Sequence, residues 1–375
     1  MLCISWACLL PQELPFAAVA RLLGWQTHET QVLSATTVRS SVRSQGHSIR
    51  QLEQTEVAAV LQRSDRARSG LLVVPPDQPR RRAGWPAELK AAVDAALAAE
   101  QAYPPAGVSW ADWERVLAAR RAEATREVAA LRQLGPELEP DQVLVTVDEV
   151  LTRKPEPHPF WELRTAQVVT PDGYRYLSGG GDSFLQQLLV MVLLALGQRG
   201  VLLLIADGAG WIRACYTEML ARLPAKTMIL DWYDLHQKCT EQCSRIWRGK
   251  QAKRQLLLRL YRRLWRGDVP AAIAVLEADR SQARNTEALE SLITYLQARQ
   301  AWMVNDRQRR SEQQYIGSGQ VEKATDRLVA RRQKARGMQW SWATRDALTG
   351  VRTLMLNRGW DQYWQQRQVL PLTSS

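Results

Sequence analysis

Between residues 142 and 233 the chain sets out an ordered series of strand and helix signals that few folds accept. VLVTVDEV (143–150) is a β-branched run with an acid at its end. FWELRTAQVV (160–169) and GYRYLSGG (173–180) follow with turn residues between them, which is the pattern of a three-stranded meander. Next come an apolar helix, FLQQLLVMVLLAL (184–196), and a strand, VLLLIAD (201–207). A helix over 211–223 and a last strand, KTMILDWY (226–233), complete the series. The expected class is α/β, with a mixed sheet and helices on both faces.

Three antiparallel strands, a helix, a strand, a helix and a strand is the order of the ribonuclease-H-like fold. There the first and fourth strands lie side by side, so their ends bring Asp148 and Asp207 together. A third acid stands far downstream, in YIGSGQVEKATDRLVARRQKARGMQW (315–340). This stretch opens on a Gly-Ser-Gly turn and starts a helix whose first turn holds Glu322, where a carboxylate suits the macrodipole. Lys323, Arg327, Arg331, Arg332, Lys334 and Arg336 follow, with Asp326 the one other acid. Taken alone, the stretch reads equally as a surface helix with a solvated basic face, Leu328 and Val329 serving a core. With Asp148 and Asp207 it reads as chemistry: three acids around one point repel each other unless hard divalent cations neutralise them. Two Mg²⁺ (or Mn²⁺) ions about 3.5–4 Å apart can activate a hydroxyl or water and stabilise the leaving oxygen of an in-line displacement on phosphorus.

VTVDEV, IADGAGWI, MILDWY and YIGSGQVEKA…RRQKARGMQW resemble the motifs of bacterial insertion-sequence transposases of the DDE class, in particular the type with a helical insertion between the second Asp and the Glu. The resemblance covers roughly residues 140–360, and the IGSG-x-VE…GM-x-W block is its most specific part. It implies a ribonuclease-H-like catalytic domain over 141–375, with an all-helical insertion at about 234–314. It also implies metal-dependent cutting at transposon ends and joining of the freed 3′-hydroxyl to target DNA. The family's acids carry over to Asp148, Asp207 and Glu322, as catalytic residues and metal ligands. Two features depart from the pattern. Glu149 adds an acid directly after Asp148, and DWYDLH puts Asp234 where a His is expected, with His236 two positions later.

The formal charge of +12 over 375 residues and a pI near 9.8 point to an anionic partner, DNA or RNA before a membrane surface. Residues 13–46 read as two short helices around a loop, the outline of a helix-turn-helix within an amino-terminal DNA-binding region (1–50). Ser34 would cap the second helix, with Thr36, Thr37, Arg39 and Arg43 on its polar side. A helical linker region over 51–140, with a Pro/Arg-rich loop at 75–86 and a connecting helix at 110–134, would follow. The segment 245–266 holds nine Lys or Arg and no acid, and reads as an amphipathic helix laid on a phosphate backbone through Arg248, Lys250, Lys253 and Arg254. The same DNA role falls to Arg327, Arg331, Arg332 and Lys334.

Other readings are weaker. His236, Cys239 and Cys243 fit one helix face, but a structural zinc site takes four ligands and no C-x₂-C pair is present. SGGGDS (178–183) lacks the Lys of a P-loop. Five cysteines make no disulfide framework, and MLCISWACLLPQELPF has no basic n-region, so no export signal is expected. The expectation is a cytoplasmic, nucleoid-associated protein with no membrane partner, acting on double-stranded DNA as a homo-oligomer. A nuclease that cleaves without joining, and a non-catalytic DNA-binding relic of a transposase, are the alternatives.

Overall fold

The computed structural model describes residues 2–27, 32–66, 136, 138–153, 160–171, 173–196, 200–221, 223, 225–334, 339–367 and 369. The 75–86 loop and the 110–134 helix lie outside them. The chain divides into two compact units. The first gathers Met1–Gln78, Asp141–Met228 and Ser318–Ser375; the second gathers Pro79–Pro140 and Ile229–Gly317.

In chain order, the first unit begins with α1 (Leu2–Leu9), α2 (Phe16–Thr27) and α3 (Ala35–Arg66). It continues with β1 (Gln142–Arg153), β2 (Phe160–Thr170), β3 (Gly173–Gly179), α4 (Gly181–Leu196), β4 (Val201–Ala206) and α5 (Gly210–Ala214). α5 runs on as a π-turn over Cys215–Met219, and β5 (Lys226–Leu230) follows. The strands form one mixed sheet in the order β3-β2-β1-β4-β5. β1–β2 and β2–β3 pair antiparallel, and β1 and β4 pair parallel, so the first and fourth strands are neighbours. All of β4 after its first residue is buried, as its unbroken apolar run requires of a strand covered on both faces.

β1 differs from its expected extent. It runs to Arg153, so Asp148 sits inside the strand and not at its end. β5 stops at Leu230 and not at Tyr233, because the Asp231 carboxylate accepts from the Tyr233 and Asp234 N–H groups and caps the next helix. α3 does not end near Gly46 but continues to Arg66, so the boundary expected at residue 50 falls inside one helix. Gly46 is where α3 crosses α12 (Trp342–Leu356), and a Cβ there would overlap the Ala347 backbone.

The unit closes with α11 (Gly319–Thr325), which passes through a π-turn (Asp326–Ala330) into Arg331–Gln333, then α12 and α13 (Trp360–Gln366). Val321, Ala324, Leu328 and Val329 pack on Val150, Leu163 and Tyr176 of the sheet. Each large apolar side chain so buried stabilises the docking by about 1.5–3 kcal/mol.

Past β5, the described residues of the second unit form helices: α6 (Trp232–Ile246), α7 (Lys250–Leu264), α8 (Val269–Ala278), α9 (Thr286–Arg299) and α10 (Asp306–Ser311). The insertion expected at about 234–314 lies within its Ile229–Gly317 stretch. The basic segment 245–266 is not one helix, since Gly249 at φ +92° separates α6 from α7. Leu256, Leu260 and Leu264 of α7 join Cys239, Cys243 and Ile246 of α6 in the unit's core. Among the described residues no helix is long and apolar enough to cross a membrane.

Candidate active site

Asp148 is the middle of the site, and four neighbours define its state. The Glu149 N–H donates to its Oδ1 at 2.8 Å, and the Thr325 hydroxyl donates to its Oδ2 at 3.2 Å. The Thr325 and Thr165 hydroxyls are hydrogen-bonded at 2.7 Å, and Thr165 Oγ1 also donates to the Asp148 carbonyl at 3.3 Å. Thr165 lies directly opposite Asp148 on β2. The hydroxyl pair thus ties β1, β2 and α11 together, and Glu322 stands one turn before Thr325 on that helix.

Asp207 reaches the same place through the sheet. The β1–β4 register runs Gln142↔Val201 to Thr146↔Ile205, and two residues further it sets Asp207 level with Asp148, just past the end of β4. Neighbouring strands are about 4.8 Å apart. Asp207 Oδ1 accepts from the Ala209 N–H at 2.8 Å across Gly208, whose φ of +74° lets the chain turn into α5. Asp207 and Glu322 are both exposed, and Asp148 is half-buried.

Burial raises the Asp148 carboxyl above its ordinary range; the Glu149 N–H and the Thr325 hydroxyl oppose this, and the charges of Asp207 and Glu322 add to it. The donor atoms are all oxygens, the chemistry a hard divalent cation takes. Among the described residues no group of three or more His, Cys, Asp or Glu side chains stands placed to hold a metal ion.

No family model matches the chain, and no curated protein matches its sequence. The functional reading therefore rests on the residues themselves.

Glu149 points away from Asp148, to the exposed face of β1. There its Oε2 accepts from Trp211 Nε1 at 3.1 Å, and the Arg164 guanidinium lies 4.4 Å over the Trp211 ring. Burial, then the charge of Glu162, raises the Glu149 carboxyl. Thr325, Thr165, Trp211 and Arg164 were not among the residues the sequence pointed to.

The expected DNA-binding residues divide. Thr36, Thr37, Arg39 and Arg43 are exposed on the first turns of α3, and Ser34 Oγ caps that helix by accepting from the Thr37 N–H at 3.0 Å. Arg327, Arg331 and Lys334 are exposed, with Arg331 paired to Asp326 at 2.6 Å. Arg332 is not available to DNA. It is 6% exposed, its Nε donates to the Pro11 carbonyl at 2.7 Å, and its guanidinium lies over the Trp340 and Phe16 rings. In the second unit Arg248, Lys250 and Arg254 are exposed, and half-buried Lys253 donates to Ser244 Oγ at 3.2 Å. Cys239 and Cys243 are fully buried in that unit's core while exposed His236 stacks on Tyr261, so the three do not converge. Burial pushes the Cys243 thiol up to about 12.

Proposed function

We propose that this protein is a DDE-class transposase of ribonuclease-H-like fold, which cuts DNA at transposon ends and transfers the freed 3′ ends into target DNA. What supports the reading is the register that sets Asp207 level with Asp148 and the Thr325 hydroxyl bond that holds the helix bearing Glu322 to Asp148. The strand order and the parallel β1–β4 pair support the fold assignment.

Asp148, Asp207 and Glu322 would hold two Mg²⁺ or Mn²⁺ ions. When bound, such ions activate a water or 3′-hydroxyl and stabilise the leaving oxygen of an in-line displacement. The chain's own part is positional. β1 and β4 hold the two aspartates level, and the Thr165–Thr325 bond holds the Glu322 helix against them. The exposed cations Arg327, Arg331 and Lys334 follow Glu322 on the same stretch and suit the phosphates flanking the reacting one. In this reading Thr36, Thr37, Arg39 and Arg43 contact the terminal repeats, and the protein works as a homo-oligomer on two ends, in the cytoplasm at the nucleoid.

The test uses labelled DNA carrying the element's own end, a supercoiled target plasmid and Mg²⁺ or Mn²⁺. The wild-type protein is expected to nick the end and produce labelled plasmid, and Glu322→Gln to bind the end but do neither. Nicking without labelled plasmid would assign the protein to the nucleases. Salt-dependent binding by both proteins with no cutting by either would leave a DNA-binding relic.

A further inference from the structure

A cavity of about 160 Å³ opens in the first unit between α3, the end of β3 and the starts of α4 and α12. An apolar cavity of about 150 Å³ holds a benzene molecule, so this one admits a six-membered ring. One wall is Trp342, which is 40% exposed. Its indole is fixed: the Arg345 guanidinium lies 4.3 Å from the ring centroid, and Trp161 packs edge-on at 5.3 Å. It also rests on the Gly180 backbone, where a Cβ would come within 2.6 Å of Trp342 Cη2.

The opposite side is polar, with acids and amides. Arg50 Nη1 donates to Glu53 Oε2 at 2.8 Å, its Nε pairs with Asp346 Oδ1 at 3.3 Å, and its Nη2 donates to Ser178 Oγ at 3.4 Å. Both carboxylates thus pair with the Arg50 guanidinium, whose Nε is buried and makes an ion pair but no hydrogen bond. With Arg345 beside Asp346 the two carboxylates are balanced by two guanidiniums, so the cavity carries no net positive charge to draw a phosphate, whereas an incoming amine would find an acceptor in Asp346, the more exposed of the two acids. Gln187, at the same cavity, can both donate and accept.

A fixed aromatic plane beside carboxylate and amide groups is the equipment for reading a base by stacking and by its hydrogen-bonding edge. We propose that this cavity binds a nucleobase bearing an exocyclic amine, with cytosine the best match in size, stacked on Trp342 and donating its amine to Asp346. The base can come from an unpaired position in a DNA strand or from a free nucleoside. A DNA strand at the acids is within reach. Ser178 is in register with Thr165, and Thr165 with Asp148, so the cavity begins two strand spacings, about 10 Å, from the acid strand.

The test is calorimetric binding of cytidine, adenosine and uridine to the full chain. A second arm uses DNA duplexes carrying one unpaired cytosine or one unpaired thymine. Nucleosides carry no phosphate, so the basic surfaces contribute nothing to the first arm. The amine-bearing base is expected to bind at least ten-fold tighter than its carbonyl counterpart. Asp346→Asn should weaken cytidine about ten-fold, Trp342→Leu should abolish binding, and Trp342→Phe should restore most of it, with melting curves confirming the fold of each variant. Binding of free cytidine identifies the nucleoside as a ligand, and binding of the unpaired cytosine alone identifies the strand; either upholds the site. No binding in either arm, equal binding of the amine-bearing base and its carbonyl counterpart in both arms, or affinities unmoved by Asp346→Asn and Trp342→Leu, overturns it. Glu322→Gln is expected to bind cytidine like the wild type, so loss of strand cleavage leaves this assay intact.

Discussion

Thr325 is the residue on which the proposed site turns, because its hydroxyl donates from the Glu322 helix to Asp148. Thr325→Val keeps the shape and removes the hydroxyl, taking away one of the two partners of buried Thr165 and one bond to Asp148. A stability loss of about 1–2 kcal/mol is expected in chemical denaturation. A ten-fold or greater fall in strand cleavage should accompany it, with Thr325→Ser close to wild type in both. Nothing in the local pattern marked this threonine, since its role depends on a strand 160 positions away in the sequence. Arg332 was legible and was misread. Val321, Ala324, Leu328 and Arg332 recur at helical spacing, so the helix phase that buries the first three also buries the arginine. Arg332→Ala should cost about 2–3 kcal/mol of stability and leave the salt dependence of DNA binding unchanged. Asp306, in the second unit, carries a pH signature. Burial, and to a lesser degree the Asp231 charge, push its carboxyl from 3.8 up to about 7 against the opposing pull of Arg309, and Oδ1 has no hydrogen-bond partner. The folded state then binds this proton more tightly than the unfolded state. Its contribution is favourable at low pH and is lost as pH rises from about 4 to about 7, by at most a few kcal/mol at about 1.4 kcal/mol per pH unit. Asp306→Asn should flatten the fall in melting temperature over that window and raise stability at pH 8.

Among the elements, the sheet was readable because β-branched and apolar runs alternate with Gly and Pro turns. The neighbouring placement of β1 and β4 followed from their order. The limits of the elements were harder. At Asp231 a capping carboxylate overrode the β-propensity of Trp232 and Tyr233, and at Gly46 a residue that usually ends helices lies inside one. The reason is tertiary: Gly46 permits α3 to touch α12 backbone to backbone, and a 32-residue helix is worth more packed than broken. Gly46→Ala separates the two effects. Helix propensity favours alanine by about 1 kcal/mol, but overlap with Ala347 should cost more, typically 1–3 kcal/mol and higher where backbone is struck. Net destabilisation is expected in a denaturant titration; a more stable variant would show that α3 and α12 can move apart freely.

Across the whole molecule, a charge of +12 makes a long-range attraction for DNA that the site chemistry does not require. The plot of log affinity against log salt should be steep, and Arg327→Ala or Lys250→Ala should each lower its slope by about one. That would identify a DNA-binding protein without saying what it does to DNA. The central claim is narrower: Asp148, Asp207 and Glu322 act as one set of metal ligands. Mn²⁺ titration followed by electron paramagnetic resonance addresses it without any DNA substrate. The wild-type protein should take up Mn²⁺ with a broadened protein-bound signal, and Asp148→Asn, Asp207→Asn and Glu322→Gln should each lose it while melting as folded proteins. Uptake of Mn²⁺ by all three variants at wild-type affinity, or no uptake by the wild type, would contradict the claim.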